Sequence, residues 1–494
     1  MPRCGVPVRV QRTESCGQYA PFTLAPLNAA LTAQRAVPTK RKIFPLWLLC
    51  LALLSQGAYA QAPGAARTTP KWLHDGVVYE LFPRDFSAQG DFNGVTARLD
   101  QLSDLGVNVL WLMPIHPIGV DKRKGSYGSP YSASDYYAIN PDYGTKEDLK
   151  RLVSQAHKRG MKVIIDVVLL HTAWDSVLMA HPDFYKHDAS GKIVPPLPEW
   201  SDVAGLNYKN QELRQYLVTM LEYWVKEFDL DGFRCDTASM VPTSFWEEAR
   251  AALSKIKPDI MMLAEADKPE LLTNAFDIDY EWPLMNTLRK VLEKSAPASE
   301  IEQTWQNELK RYPQGALHLD MSDNHDQARS VARFGLPGAL AASALIFTLD
   351  GVPLIYNGME VGDGTPSGGG ALFEKVPIVW EPKGRPQIRD IYQSLIHLRK
   401  QYPAFRTDNV QWIHNSDENQ LITFLRSDGK DEFLVAINLS NRPAQGTMDL
   451  KNEDDFAPVE ISGVQNSTNS QAADLHLDGF EWRIFHRTAK MAAK

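Results

Sequence analysis

The chain has 494 residues, 44% of them hydrophobic and 23% charged, with a formal net charge of −8. That is ordinary globular composition, enough for one barrel-sized domain and a smaller companion, and it excludes a low-complexity or disordered chain. The acidic balance argues against nucleic acid or an anionic membrane surface as a partner.

Taken in order, the N-terminus comes first. Lys40-Arg41-Lys42 precedes an apolar run from Ile43 to Leu54, and Ala58-Tyr59-Ala60 follows. A basic stretch, an apolar stretch and an A-x-A site read as an export signal cut after Ala60. The apolar run is too short to cross a bilayer comfortably, so an uncleaved anchor is the lesser alternative. Residues 1–39 read as unstructured, which a start codon assigned too early would explain, and residues 61–71 as a linker. Seven Lys/Arg and one Glu leave with residues 1–60, so the mature chain carries about −14. Cys4, Cys16 and Cys50 leave as well, and Cys235 alone remains, which permits no intramolecular disulfide and no cysteine metal site. Export without disulfides fits a bacterial periplasm or exterior, with no membrane attachment after cleavage.

From about Trp72 strand-like and helix-like stretches alternate. Val77–Phe82 is rich in β-formers, and Thr96–Leu105 carries Leu99, Leu102 and Leu105 at helical spacing. Val107–Met113 is nearly all apolar, as a strand buried on both faces requires. Lys146–Arg159 aligns Leu149, Leu152, Val153 and Ala156 on one face, with Gly160 as its stop. Val163–Leu170 is the next strand. Residues 172–208, with Pro182, Pro195, Pro196 and Pro198, break the rhythm and read as an inserted excursion. The alternation resumes with helix Gln211–Phe228, strand Gly232–Cys235, helix Pro242–Ile256 and strand Ile260–Ala264. It continues with a weak strand in Asp277–Trp282, helical pieces in Leu284–Tyr312 and strand Ala316–Leu319. Helix Leu336–Thr348, strand Pro353–Tyr356, a Gly-rich loop Gly362–Gly370 and helix Ile388–Tyr402 close the series. About eight βα units predict an α/β fold with a parallel (β/α)₈ barrel, formed by residues 72–171 and 209–403 around the insertion 172–208 after strand 3. After Pro403 short β-type runs (Gln411–Ile413, Ile422–Arg426, Phe433–Leu439, Glu481–Phe485) predict a C-terminal antiparallel β-sandwich over 404–494.

Four segments carry the chemistry: DVVLLH (Asp166–His171), DGFRCD (Asp231–Asp236), MMLAEA (Met261–Ala266) and MSDNHD (Met321–Asp326). Each is a mostly apolar run with a polar tip. C-terminal strand ends converge on one face of such a barrel, so Asp236, Glu265 and Asp326 meet in one pocket. Arg234 lies two residues before Asp236, hence on the same face of its strand, as a counter-ion for it. Apolar residues before Glu265 would raise its pKa, so that it stays protonated until needed. Taken singly, each feature has a plainer reading: a surface ion pair, a rim glutamate, structural histidines, an aromatic in the core.

In order and spacing the four segments resemble the signature of the α-amylase family, glycoside hydrolase family 13. Supporting matches are YELFPRDF (Tyr79–Phe86), LWLMPIHP (Leu110–Pro117), SPYSASDYYAINPDYGT (Ser129–Thr145) and GVPLIYNGMEVG (Gly351–Gly362). The resemblance implies a retaining glycosidase that acts on α-glucans or malto-oligosaccharides and needs no cofactor. Within it Asp236 is the nucleophile, Glu265 the acid/base and Asp326 the transition-state stabiliser. His171 and His325 bind sugar hydroxyls, Tyr131 stacks under the ring, and Asp135 helps to shape the pocket. Tyr127, Tyr136, Tyr137 and Trp200 line sugar subsites or fill the core. Cys235 alternates away from Asp236 and packs inertly.

The pattern also breaks in places. The calcium-ligating Asn of many amylases is Leu170 here, and the segment closing the insertion reads VAGLN (Val203–Asn207), so no metal is expected at that site. After the nucleophile Thr237-Ala238-Ser239-Met240 replaces the usual Lys-His, which changes the acceptor side. Transglycosylation, exo-acting α-glucosidase activity and, more remotely, a non-catalytic sugar-binding role remain as alternatives. Oligomeric state is not legible.

Overall fold

In the computed structural model, residues 64–383, 388–464 and 471–488 are described; the proposed leader lies outside them. The first barrel strands are β1 (Val78–Leu81), β2 (Val109–Leu112) and β3 (Lys162–Val167). A short antiparallel pair follows, β4 (His171–Ala173) with β5 (Val203–Gly205). The barrel then resumes with β6 (Gly232–Cys235), β7 (Met261–Ala264), β8 (Ile278–Tyr280), β9 (His318–Asp320) and β10 (Val352–Tyr356). Eight of these strands close in the order β1-β10-β9-β8-β7-β6-β3-β2, all parallel. The weak sixth barrel strand expected in 277–282 is realised as the three residues of β8. Helix Ser330–Thr348 begins earlier than apolar spacing suggests and contains a kink at Gly335 (φ 71°) before Pro337. The helix expected over 96–105 is two pieces, Phe92–Thr96 and Leu99–Leu105.

Strand alternation divides the barrel residues between two environments. Val78, Val109, Trp111, Ile164, Met261, Leu263, Ile278, Tyr280, Leu319 and Leu354 share one buried cluster inside the barrel. Their chain neighbours, among them Tyr79, Leu110, Ile165, Phe233, Cys235 and Met262, pack in a second cluster under the helices. A strand buried on both faces must therefore be apolar at nearly every position, which is why these segments read as continuous runs. Cys235 is on the outer side, as alternation required. Gly232 has a separate reason to be small: a Cβ there would stand 2.2 Å from the Met261 carbonyl oxygen of β7.

Local signals fix the surrounding helices. Thr145 and Asp148 form a reciprocal capping box at the start of helix Lys146–Lys158. Asn210 caps helix Gln211–Phe228 by accepting from Glu212 and Leu213 N–H. The C-terminal region holds β11 (Val410–Trp412), β12 (Leu421–Ser427), β13 (Asp431–Asn438), β14 (Ala444–Thr447), β15 (Ala457–Pro458), β16 (Asp474–Leu477) and β17 (Trp482–Thr488). They form a five-stranded antiparallel sheet, β11-β12-β13-β17-β15, and the pair β14-β16. Leu421, Leu434, Leu475, Leu477 and Phe485 fill the space between the sheets, so the sandwich is of unequal layers.

Candidate active site

The register of β3 against β6 places Asp166 beside Arg234, and that of β1 against β2 places Glu80 beside Trp111. Both carboxylates, the guanidinium and the Tyr280 ring point inward above the apolar barrel floor. Arg234 is fully buried and works as a hub. Its Nη1 donates to Asp166 Oδ1 at 3.0 Å and Oδ2 at 3.1 Å, and to Asp236 Oδ1 at 2.9 Å. Its Nη2 lies 3.1 Å from Glu265 Oε2, and its Nε donates to the Tyr280 hydroxyl at 3.2 Å. The guanidinium also lies 5.2 Å from the centroid of the Trp111 ring. Burial works against its charge, but the carboxylates around it, Asp166 first, drive its pKa well above the ordinary arginine range.

Glu265 is just past the end of β7. Burial, with Asp236 and Asp326 nearby, pushes its carboxyl up to about 8, against the opposing pull of Arg234. Its Oε2 accepts from the Thr237 backbone N–H at 2.7 Å. That N–H is aimed by an uncommon conformation: Thr237 has φ 42° and ψ 42°, left-handed for a β-branched residue. Such strain persists only where the surroundings enforce it, and it falls immediately after Asp236. Thr237 Oγ1 also donates to Asp236 Oδ2 at 3.2 Å.

Asp326 is half-exposed at the rim, with His325 Nε2 3.4 Å from its Oδ2. His325 is buried, donates from Nδ1 to Glu80 Oε1, and bonds through Nε2 to the Tyr131 hydroxyl at 2.6 Å. Burial opposes charge on this ring, yet Asp326 and Glu80 hold it up to about 9, so both nitrogens carry protons at neutral pH. Tyr131 in turn donates to Asp166 Oδ2 at 3.2 Å and stacks on His325 at 5.3 Å between centroids. Glu80, His325, Tyr131, Asp166 and Arg234 thus form one continuous polar chain.

His171 is buried at the start of β4, with Nε2 on the Tyr131 carbonyl at 3.1 Å and Trp200 edge-on at 5.7 Å. Burial lowers its pKa, opposed by Asp236, so it is a neutral ring. Asp135 stands apart from the charge cluster. Its Oδ1 accepts from Tyr137 N–H at 2.8 Å, closing a turn, and its electrostatic influence falls on His116, Tyr137 and Tyr216. Through that turn it braces the loop that carries Tyr131. Tyr136 is also structural, its hydroxyl bonded to the carbonyls of Val168 and His171. Leu170 is buried, and its carbonyl accepts from Leu206 N–H at 3.0 Å.

Sequence reasoning passed over Glu80, Asp166, Trp111 and Tyr280. A signal for the two carboxylates existed, since each is a lone charge inside an otherwise apolar strand, a position tolerated only with a buried partner. Thr237 left no such signal.

The arrangement places two carboxyl groups on neighbouring nitrogens of one guanidinium. Asp236 accepts a hydrogen bond from Nη1, and Glu265, beside Nη2, is biased toward its protonated form. That division of labour is what a nucleophile and a proton donor flanking one bond require.

Comparison with known proteins agrees with the barrel architecture. The family model for the α-amylase catalytic domain matches residues 65–188 and 199–433. A cyclomaltodextrinase of Geobacillus thermopakistaniensis is 29% identical over 434 residues, spanning 77% of this chain and 71% of the relative. An intracellular maltogenic amylase of Bacillus subtilis is 28% identical over 423 residues, 75% and 70% of the two chains. The crystal structure of a noncanonic maltogenic α-amylase from Thermotoga neapolitana superposes with a TM-score of 0.76 at 31% identity, covering 85% of this chain and all of that one.

Proposed function

The chain belongs to the α-amylase family and is a retaining glycoside hydrolase of α-glucosidic bonds, and on that premise we propose which side chains do the work and on which glucans. Asp236 attacks the anomeric carbon while Glu265 gives its proton to the departing glycosidic oxygen. A water then enters, surrenders a proton to the Glu265 carboxylate, and its oxygen displaces Asp236 with the original anomeric configuration restored. Asp326 binds ring hydroxyls and tightens on them as the sugar flattens. Tyr131 offers a face for that ring, and His171 lies beside it.

The observation that carries this reading is the shared guanidinium of Arg234, with Glu265 held up to about 8 in the same cavity. A general acid must still hold its proton at working pH, and this one does. The substrates are malto-oligosaccharides, cyclic ones included, alongside longer α-glucans; the cyclomaltodextrinase and maltogenic amylase names of the relatives support the short end of that range. Proton NMR of the first product formed from maltotriose tests the mechanism. An α-anomer is expected, and a β-anomer at early times would overturn the double displacement.

A second reading, transglycosylation, is favoured by Met240, which is 40% exposed three residues after Thr237. An apolar side chain there suits a sugar acceptor better than water. Products longer than maltotriose would establish it. Export is proposed from residues 40–60 alone, and N-terminal sequencing of protein recovered outside the cytoplasm, beginning at Gln61, would support it.

A further inference from the structure

Of the three carboxyl groups, Asp326 is the one without a strong anchor. Asp236 and Glu265 are tied to a buried guanidinium, whereas the Asp326 side chain is 37% exposed and its one ion pair among the described residues is with His325 Nε2, at 3.4 Å. What fixes it is its main chain. Its N–H donates to Asn324 Oδ1 at 3.2 Å, and Gln327 N–H closes the turn on the Asn324 carbonyl at 3.3 Å. The opposite side of the Asp326 peptide rests against Gly368, from the Gly-rich loop that follows β10. A Cβ on Gly368 would stand 2.6 Å from the Asp326 carbonyl oxygen and 2.9 Å from its carbonyl carbon. Gly368 also has φ +75°, a conformation side-chain-bearing residues avoid.

The next two glycines lack that contact. Gly369 (φ +49°) and Gly370 would both meet nothing within 4 Å. Beyond them the loop is clasped to the segment preceding Tyr131 and to Arg84, just after β1. Tyr127 N–H donates to the Phe373 carbonyl at 2.9 Å, Ser126 N–H to Glu374 Oε1 at 3.0 Å, and Arg84 Nη1 to the Leu372 carbonyl at 3.1 Å. The backing surface is therefore itself held in place.

We propose that Gly368 is a positioning residue for the glycosidic reaction: its bare Cα lets the loop press on the Asp326 peptide and so sets how far the Asp326 carboxylate reaches toward the sugar. The proposal rests on the reading of Asp326 as the transition-state stabiliser. An anchored carboxylate would tolerate a backbone shift, but one placed by its main chain does not, and misplacement near 1 Å costs about 10²-fold in rate.

Three single alanine variants separate the causes. Gly368→Ala is expected to lower kcat on maltotriose by about 10²-fold with little change in KM. It should weaken binding of a glucose-derived iminosugar, a mimic of the cationic transition state, by a similar factor. Gly369→Ala carries comparable backbone strain without the contact, and Gly370→Ala carries neither; both should stay within about threefold of wild type. The deciding measurement is the cycle with Asp326→Ala, in whose background Gly368→Ala should cost nothing further. A Gly369→Ala loss equal to that of Gly368→Ala, or an undiminished Gly368→Ala effect without the Asp326 carboxylate, would overturn the proposal. If Gly368→Ala does not fold, Glu374→Ala takes its place, since it unclasps the loop at its exposed end. It should lower kcat in the wild-type background only, and an unaltered kcat would overturn the proposal equally. Asp326→Ala with wild-type kcat would instead remove the stabiliser role itself, a separate failure visible in the single variant.

Discussion

Replacing Glu265 with Gln makes the sharpest demand on this account, because it should make the protein worse as a catalyst and better as a fold. The Glu265 carboxyl sits at about 8 in the folded protein against an ordinary 4.5. At pH 7 the unfolded chain gains from ionising it and the folded chain does not. That difference is worth about 3 kcal/mol at roughly 1.36 kcal/mol per pH unit. Because the folded pKa is raised, the group's support for folding is complete below pH 4.5 and is lost as pH climbs to 8. Glutamine never ionises, so the variant should match wild type in stability near pH 4 and gain on it progressively, reaching its full advantage above pH 8. Urea unfolding followed by tryptophan fluorescence from pH 4 to 9 measures this. Turnover of maltotriose should meanwhile fall by about 10²–10⁴-fold, the usual contribution of a positioned acid. An aryl α-glucoside whose phenolate leaves unaided should still form the covalent intermediate. A stability difference that is flat with pH would refute the burial argument, and undiminished maltotriose turnover would refute the role.

Three further outcomes follow from the same geometry. Arg234→Leu leaves Asp166 buried without its counter-ion and should cost about 3–5 kcal/mol in urea unfolding, whereas Arg234→Lys restores part of that stability but not activity, since one ammonium cannot face three carboxyl groups. At the far end of β6, burial would raise the Asp231 carboxyl, but bonds from His157, Val163 N–H and Lys257 hold it down at about 2. Its contribution is present above 3.8 and lost as pH falls toward 2, so Asp231→Asn should cost about 2 kcal/mol at pH 6 and almost nothing at pH 2. Cys235→Ser places a hydroxyl in an apolar layer and should cost about 1–3 kcal/mol while kcat holds, because that side chain faces the helices rather than Asp236.

Much of the architecture could be read from the chain alone. Buried parallel strands need apolar runs, helices need one apolar face, and the alternation of the two periods announced a barrel before any contact was known. The polar tips Asp236, Glu265 and Asp326 were legible for the same reason: strand ends in such a barrel open onto one face, whatever the intervening sequence. Cys235 could be placed from alternation alone. Periodicity could not supply the partnerships. Asp166 and Arg234 are 68 residues apart in sequence and meet only through the β3–β6 register, and Glu80 finds His325 across 245. The left-handed Thr237 and the bare Gly368 were invisible for a simpler reason. A local sequence specifies which conformations are cheap, while the close approach of two remote backbones decides which costly one must be held, and that is settled only when the barrel closes.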